Sequence, residues 1–236
     1  MDFQNNDFPI RSLLRDYNGK RWYPKSVEIF RSMLLIPPTS EFNGYAISKN
    51  IAYNLQYLEY LQKQINELVL SDVLMKMLIK NFIIVSMGII ESLFAYLLKS
   101  TGNWNQSEWK MIQKNNIDNS RPISVSDKIL KTKIDVYEKV DKYDIEMQFD
   151  AIISKVKSKK LLDVKDDKIY DIILRYKKLR NKVHLHISQY ETDYNIFDIR
   201  QQKVVSKLLF LILKDKQFCS NQKIAHEVYG FLIYEA

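Results

Sequence analysis

The chain has 236 residues, one cysteine and a formal net charge of +8, a length for one large domain or two small ones and a cysteine usage that excludes an internal disulfide or a multi-cysteine zinc site. Five glycines and five prolines are too few turn residues for an all-β protein and favour long uninterrupted helices. With 46% hydrophobic residues the chain can bury a core and fold unaided, and its single Cys219 makes a reducing, cytoplasmic setting the default expectation.

In chain order, Met1 to Asn6 is polar and acidic, unlike the basic start of a secretory signal, so export is not expected. Residues 1–43 hold the breaker run Ile36-Pro37-Pro38-Thr39-Ser40 and read as an irregular N-terminal arm with one short helix near Lys25 to Leu34. From there residues 44–236 read as one helical domain. Ile47, Ile51, Leu55, Leu58, Leu61 or Gln62, Ile65 and Leu68 recur at three- and four-residue steps, which predicts an amphipathic helix ending near Leu70. Ser71 and Asp72 suit the start of a second long helix, and Thr101-Gly102 its end, with the two helices antiparallel.

The most apolar stretch, Phe82 to Leu98, carries Glu91 and follows Lys80 and Asn81. A membrane span needs roughly 20 predominantly apolar residues, so this segment reads as a buried core helix and no membrane is expected as a partner. Residues 101–122 are rich in Asn, Ser and Gln and read as a loop or insertion with helical turns around Glu108 to Gln113. Asp127 reads as the cap of a short helix, and further helices are predicted over Glu146 to Lys159, Lys168 to His184, Asp198 to Lys214 and Gln222 to Tyr234. The expected fold class is therefore all-α, a bundle with two long antiparallel helices, shorter helices and an irregular arm.

Leu179-Arg180-Asn181-Lys182-Val183-His184-Leu185-His186 gathers one arginine, one amide and two of the three histidines into eight residues. An arginine fork matches phosphate, and histidine exchanges protons near neutral pH, so the cluster suits a phosphodiester. Residues 151–190 hold eleven Lys or Arg against four Asp, a local field that would gather a polyanion or simply solvate a helix face. On a helical wheel centred on Arg180, the apolar residues Ile169, Ile172, Ile173, Tyr176, Leu179 and Val183 fall between about −100° and +20°, which sets Arg180 at the edge of the buried stripe. His184 falls at about +40° and His186 at about −120°. An arginine there needs an acid or a polar cleft, and Glu91 is the candidate partner. A metal site is poorly supplied, because His184 and His186 lack clustered carboxylates; His226 reads as structural.

Arg180-Asn181 followed by His186, with the runs Ile152-Ile153, Leu161-Leu162 and Ile172-Ile173-Leu174 before it and Ile89-Ile90-Glu91-Ser92-Leu93 upstream, resembles the HEPN superfamily over residues 45–215. The resemblance implies a helical bundle, a homodimer that brings two motifs together, and metal-independent RNA cleavage without a cofactor, as in toxins and antiviral defence effectors. It implies that Arg180 and His186 are catalytic with Asn181 in support, that the product is a 2′,3′-cyclic phosphate, and that an inhibitory antitoxin or defence partner controls activity. Lys177, Lys178 and Lys182 are the expected RNA contacts. His184 sits outside the family spacing and competes with His186 for the catalytic role on helical-wheel grounds. The family tyrosine two residues after the histidine is replaced by Ser188, with Tyr190 further on. The alternatives are a non-catalytic HEPN-like module that binds RNA, nucleotide or a partner, and an interaction protein whose Arg180 is only an ion-pair anchor.

Overall fold

A short helix, α1 (Val27–Met33), begins where the Ser26 side chain accepts from the Ile29 N–H, and it buries Phe30 completely. The structure, a computed structural model, describes residues 22–39, 41–116, 124–125, 128–129, 133–164, 166–181 and 192–233. After α1 the chain turns through Phe42 and Asn43, both left-handed, into α2 (Gly44–Glu67). Gly44 is required by space, because a Cβ there would lie 2.4 Å from the Pro37 carbonyl oxygen. The periodic residues Ile51, Leu55, Leu58, Leu61 and Ile65 of α2 are all buried.

The second long helix, α3 (Asp72–Ser100), is the central element. It packs against α2 and against four helices that follow in the chain: α4 (Phe149–Ser158), α5 (Lys168–Arg180), α6 (Asp193–Ile196) and α7 (Ile199–Leu213). By length and composition α3 is apolar enough to cross a membrane; here Phe82, Ile83, Met87, Ile90, Leu93 and Phe94 are instead wholly buried in the helical core. Its end carries a reciprocal pair of bonds, Asn103 N–H to the Leu98 carbonyl and Gly102 N–H to the Lys99 carbonyl, with Gly102 at φ +67°. A capping box between Asp198 and Gln201 starts α7. Helix α8 (Gln222–Tyr229) and a 3-10 turn, Gly230–Leu232, close the described chain.

Residues 104–147 form a compact unit of their own, separate from the helical one. In it β1 (Gln106–Asn116) pairs antiparallel with β4 (Lys133–Asp144), from Gln106 opposite Asp144 to Asn116 opposite Lys133, with irregularities after Ser107 and after Met111. Two short strands, β2 (Ser124–Val125) and β3 (Lys128–Ile129), pair with each other. The helical turns expected at Glu108 to Gln113 are thus strand, and Lys128–Ile129 is strand where a short helix was expected after Asp127, which itself lies outside the described residues. Ile134, Val136 and Val140 alternate along β4, a pattern suited to a pleated strand, and that strand gives the loop-like 106–116 segment its hydrogen-bond partner. The described residues are mostly helical, with a long β1–β4 ribbon and the short β2–β3 pair, rather than purely α.

Candidate functional site

Helix α5 starts directly after its N-cap Asp167, beside an Asp166 carboxylate that accepts the Lys168 N–H at 2.9 Å. It buries Ile169, Tyr170, Ile173 and Tyr176. Burial is the main reason the Tyr170 and Tyr176 hydroxyls have pKa values raised above the ordinary tyrosine value. The last turn holds Lys177, Lys178 and Arg180, where cations meet the negative end of the helix dipole. Tyr170 is buried although the wheel places it outside the expected stripe, and Ile172, inside that stripe, is exposed.

At the end of α5, Arg180 Nη2 lies 2.7 Å from Glu91 Oε2, with the two side chains 35% and 26% exposed. A guanidinium has five N–H donors, so this one contact does not use them all. Asn181 follows directly, exposed, as the C-terminal cap of α5. Lys182, His184 and His186 lie outside the described residues. The described residues resume at Thr192, and the next one, Asp193, accepts a 2.7 Å hydrogen bond from Lys80 Nζ.

Lys80 and Glu91 both belong to α3, eleven residues apart. Eleven residues make about three turns and about 16 Å of rise, so the two charges share one face of that helix. The histidine-bearing segment 182–191 is therefore preceded and followed by ion pairs to the same face of α3, one with the acid on α3 and one with the base on it. Lys80 and Asp193 did not emerge from the motif; the signal available was a lysine in an apolar helix, in helical phase with Glu91.

The expected RNA-contacting lysines are not equivalent. Lys177 Nζ lies 2.5 Å from Asp150 Oδ2, whereas Lys178 is exposed and makes no ion pair among the described residues. Arg175 is exposed beside Lys178 in sequence space and lies over the Tyr176 ring at 6.0 Å. Away from this region, His226 Nε2 is 3.1 Å from Lys214 Nζ and its ring meets Phe210 edge-on. Among the described residues no three His, Cys, Asp or Glu side chains cluster as metal ligands.

No protein-family model, curated protein or solved structure matches this chain.

Proposed function

We propose that this chain is a metal-independent endoribonuclease of HEPN type, working as a cytoplasmic homodimer without a cofactor, as a toxin or antiviral effector restrained by an antitoxin or defence partner. The observation that carries this function is the placement of Arg180: a half-exposed guanidinium at the end of α5, oriented by Glu91, directly before the segment that bears both motif histidines. A fork held by one carboxylate keeps donors to spare for a phosphoryl oxygen. In the reaction the ribose 2′-oxygen attacks the adjacent phosphorus and the 5′-oxygen leaves with a proton. His186 moves a proton off the 2′-hydroxyl or onto that leaving oxygen, Arg180 stabilises the phosphoryl charge, and Asn181 orients the phosphate or the histidine. The products are a 2′,3′-cyclic phosphate and a 5′-hydroxyl. Lys178, with Lys177 and Lys182, supplies the field that gathers RNA.

A second reading has its own observation: Arg180 and Lys177 are each already paired within the chain, to Glu91 and Asp150, which suits a non-catalytic module whose Arg180 only sets α5 against α3. The deciding experiment incubates the purified chain with total RNA, with and without excess EDTA, beside Arg180→Ala, His186→Ala and His184→Ala. The expected result is EDTA-resistant cleavage that falls about 10²- to 10⁴-fold in Arg180→Ala and His186→Ala, and less in His184→Ala. Loss in His184→Ala alone moves the catalytic role to that histidine. No cleavage by the wild type, or full activity in Arg180→Ala, removes the enzyme and leaves the module.

A further inference from the structure

Helices α5 and α7 both rest on α3, and between them opens a groove of about 810 Å³. Its volume is in the range of small-molecule sites, roughly 300–1,000 Å³. Ile169 and Leu208 form a buried apolar floor, while Ile172, Val204 and Leu211 on the walls are 37%, 42% and 47% exposed. Large apolar side chains left open side by side are a cost unless something covers them.

One end of the groove is pinned shut. The Asp215 carboxylate accepts the Asp163 N–H at 2.8 Å and the Gln217 N–H at 2.9 Å, and Lys216 Nζ lies 2.9 Å from Asp163 Oδ2. Two of the lining acids are therefore engaged inside the chain, and the Asp166 carboxylate accepts the Lys168 N–H. The lining cations are less committed. Apart from Lys216, the lining lysines make no ion pair with an acid among the described residues: Lys168 and Lys207 have none, and Lys214 meets the His226 ring nitrogen and lies over the Phe210 ring. Lys207 of α7 and Lys214, the residue that caps its C-terminus, follow one edge two turns apart, about 10 Å, and the apolar strip from Val204 to Leu211 runs beside them.

The chemistry of the occupant follows from these parts. A cationic amphiphile would meet the lysine edge, and a fully apolar ligand would leave that edge unused. Among the described residues fourteen line the groove, fewer than the roughly 20–30 a side of a stable protein interface. We propose that the groove between α5 and α7 binds a small amphipathic anion, free in solution, with its apolar body on Ile172, Val204 and Leu211 and its head among the lining lysines, Lys207 and Lys214 on one wall and Lys168 on the other. This site is separate from the motif at the far end of α5 and does not depend on RNA cleavage.

The test is a fluorescence titration of the full chain with 8-anilinonaphthalene-1-sulfonate, an amphipathic anion, followed by displacement with dodecanoate, dodecanol or dodecyltrimethylammonium below their micelle concentrations. One saturable site is expected, with dodecanoate displacing the probe about tenfold better than the cation. Leu211→Asp should weaken probe and dodecanoate about tenfold or more, and Lys168→Glu with Lys207→Glu should reverse the charge preference. Leu211, Lys168 and Lys207 pack little, so unfolding curves should match the wild type; Ile172→Asp repeats the test from the other wall should Leu211→Asp fold poorly. Unchanged binding in both apolar variants, or equal displacement by anion and cation, overturns the proposal. Sedimentation with phosphatidylglycerol vesicles that depends on Lys207 also overturns it, by assigning the head group to a bilayer; absence of sedimentation supports the free ligand.

Discussion

Breaking the Arg180 to Glu91 contact from either side tests how firmly the end of α5 is held. The 2.7 Å pair is 35% exposed on the arginine and 26% on the glutamate, between two regimes of known size. Fully exposed pairs couple by about 0.2–1 kcal/mol, and losing one partner of a buried pair costs about 3–5 kcal/mol. Discounting for solvent places the coupling near 1.5–2 kcal/mol. In a chain of this length each kcal/mol moves Tm by roughly 2–4 °C, so losing the interaction should lower it by about 3–8 °C. The measurement is a double-mutant cycle of Glu91→Gln and Arg180→Gln by urea unfolding, repeated near 1 M salt, where a part-exposed pair should weaken. Coupling below about 0.3 kcal/mol, within the error of independent sites, would refute the claim that Glu91 orients Arg180. Cleavage measured on the same four proteins then separates orientation from anchoring: an oriented catalytic arginine loses activity in Glu91→Gln even under conditions where the fold is intact.

The second pair is more buried, with Lys80 10% and Asp193 20% exposed, so Asp193→Asn should destabilise by about 3 kcal/mol in urea unfolding and Lys80→Met in the same chain should recover most of it; no recovery would mean the loss is not that of an uncompensated ammonium. Burial raises the pKa of Tyr170, Tyr176 and Tyr229, so their contribution is fully present below the unfolded tyrosine value of about 10 and is lost as pH rises beyond it. Absorbance titration near 295 nm should therefore show these three of the fifteen tyrosines ionising late or only with unfolding, and a single transition for all would contradict it. Ser86 Oγ is buried without a hydrogen-bond partner among the described residues, so Ser86→Ala should leave stability unchanged or raise it by up to about 1 kcal/mol; a loss of 2 kcal/mol or more by the same assay would reveal a partner.

Where the pairing is local, the sequence was readable. Helices α2, α3 and α7 satisfy their backbone groups within themselves, so the steps from Ile51 to Ile65 and from Val205 to Ile212 were enough to place them. The ribbon is different. Trp109 has Lys139 as its partner and Gln106 has Asp144, so whether 106–116 is strand depends on residues far along the chain, and its Asn, Ser and Gln content argues for a loop until that partner is known. The same limit governs the site. Arg180 and Glu91 could be matched from an arginine at a stripe edge and a lone acid in an apolar helix, but Asp193 lay in a stretch without periodicity. The wheel also treated α5 as having one buried stripe. Its buried side includes Tyr170, and Ile172 faces the groove instead, because α7 does not close over that part of α5.

The polarity of the two clamps adds a constraint that apolar packing alone would lack. An apolar stripe on α3 accepts a neighbouring helix at several registers with little difference in burial, whereas a charged pair is satisfied at one. With Glu91 toward the end of α5 and Lys80 toward the start of α6, the observed path makes two attractive pairs. Exchanging the two attachment points would set Arg180 against Lys80 and Asp193 against Glu91, two like-charge contacts in partly dehydrated surroundings. The wrong arrangement is thereby penalised twice while the right one is stabilised twice, which fixes the direction in which the chain leaves α5 and returns to α6. The residues on either side of the 182–191 segment, Arg180 and Asp193, are thus each tied to α3 by an ion pair.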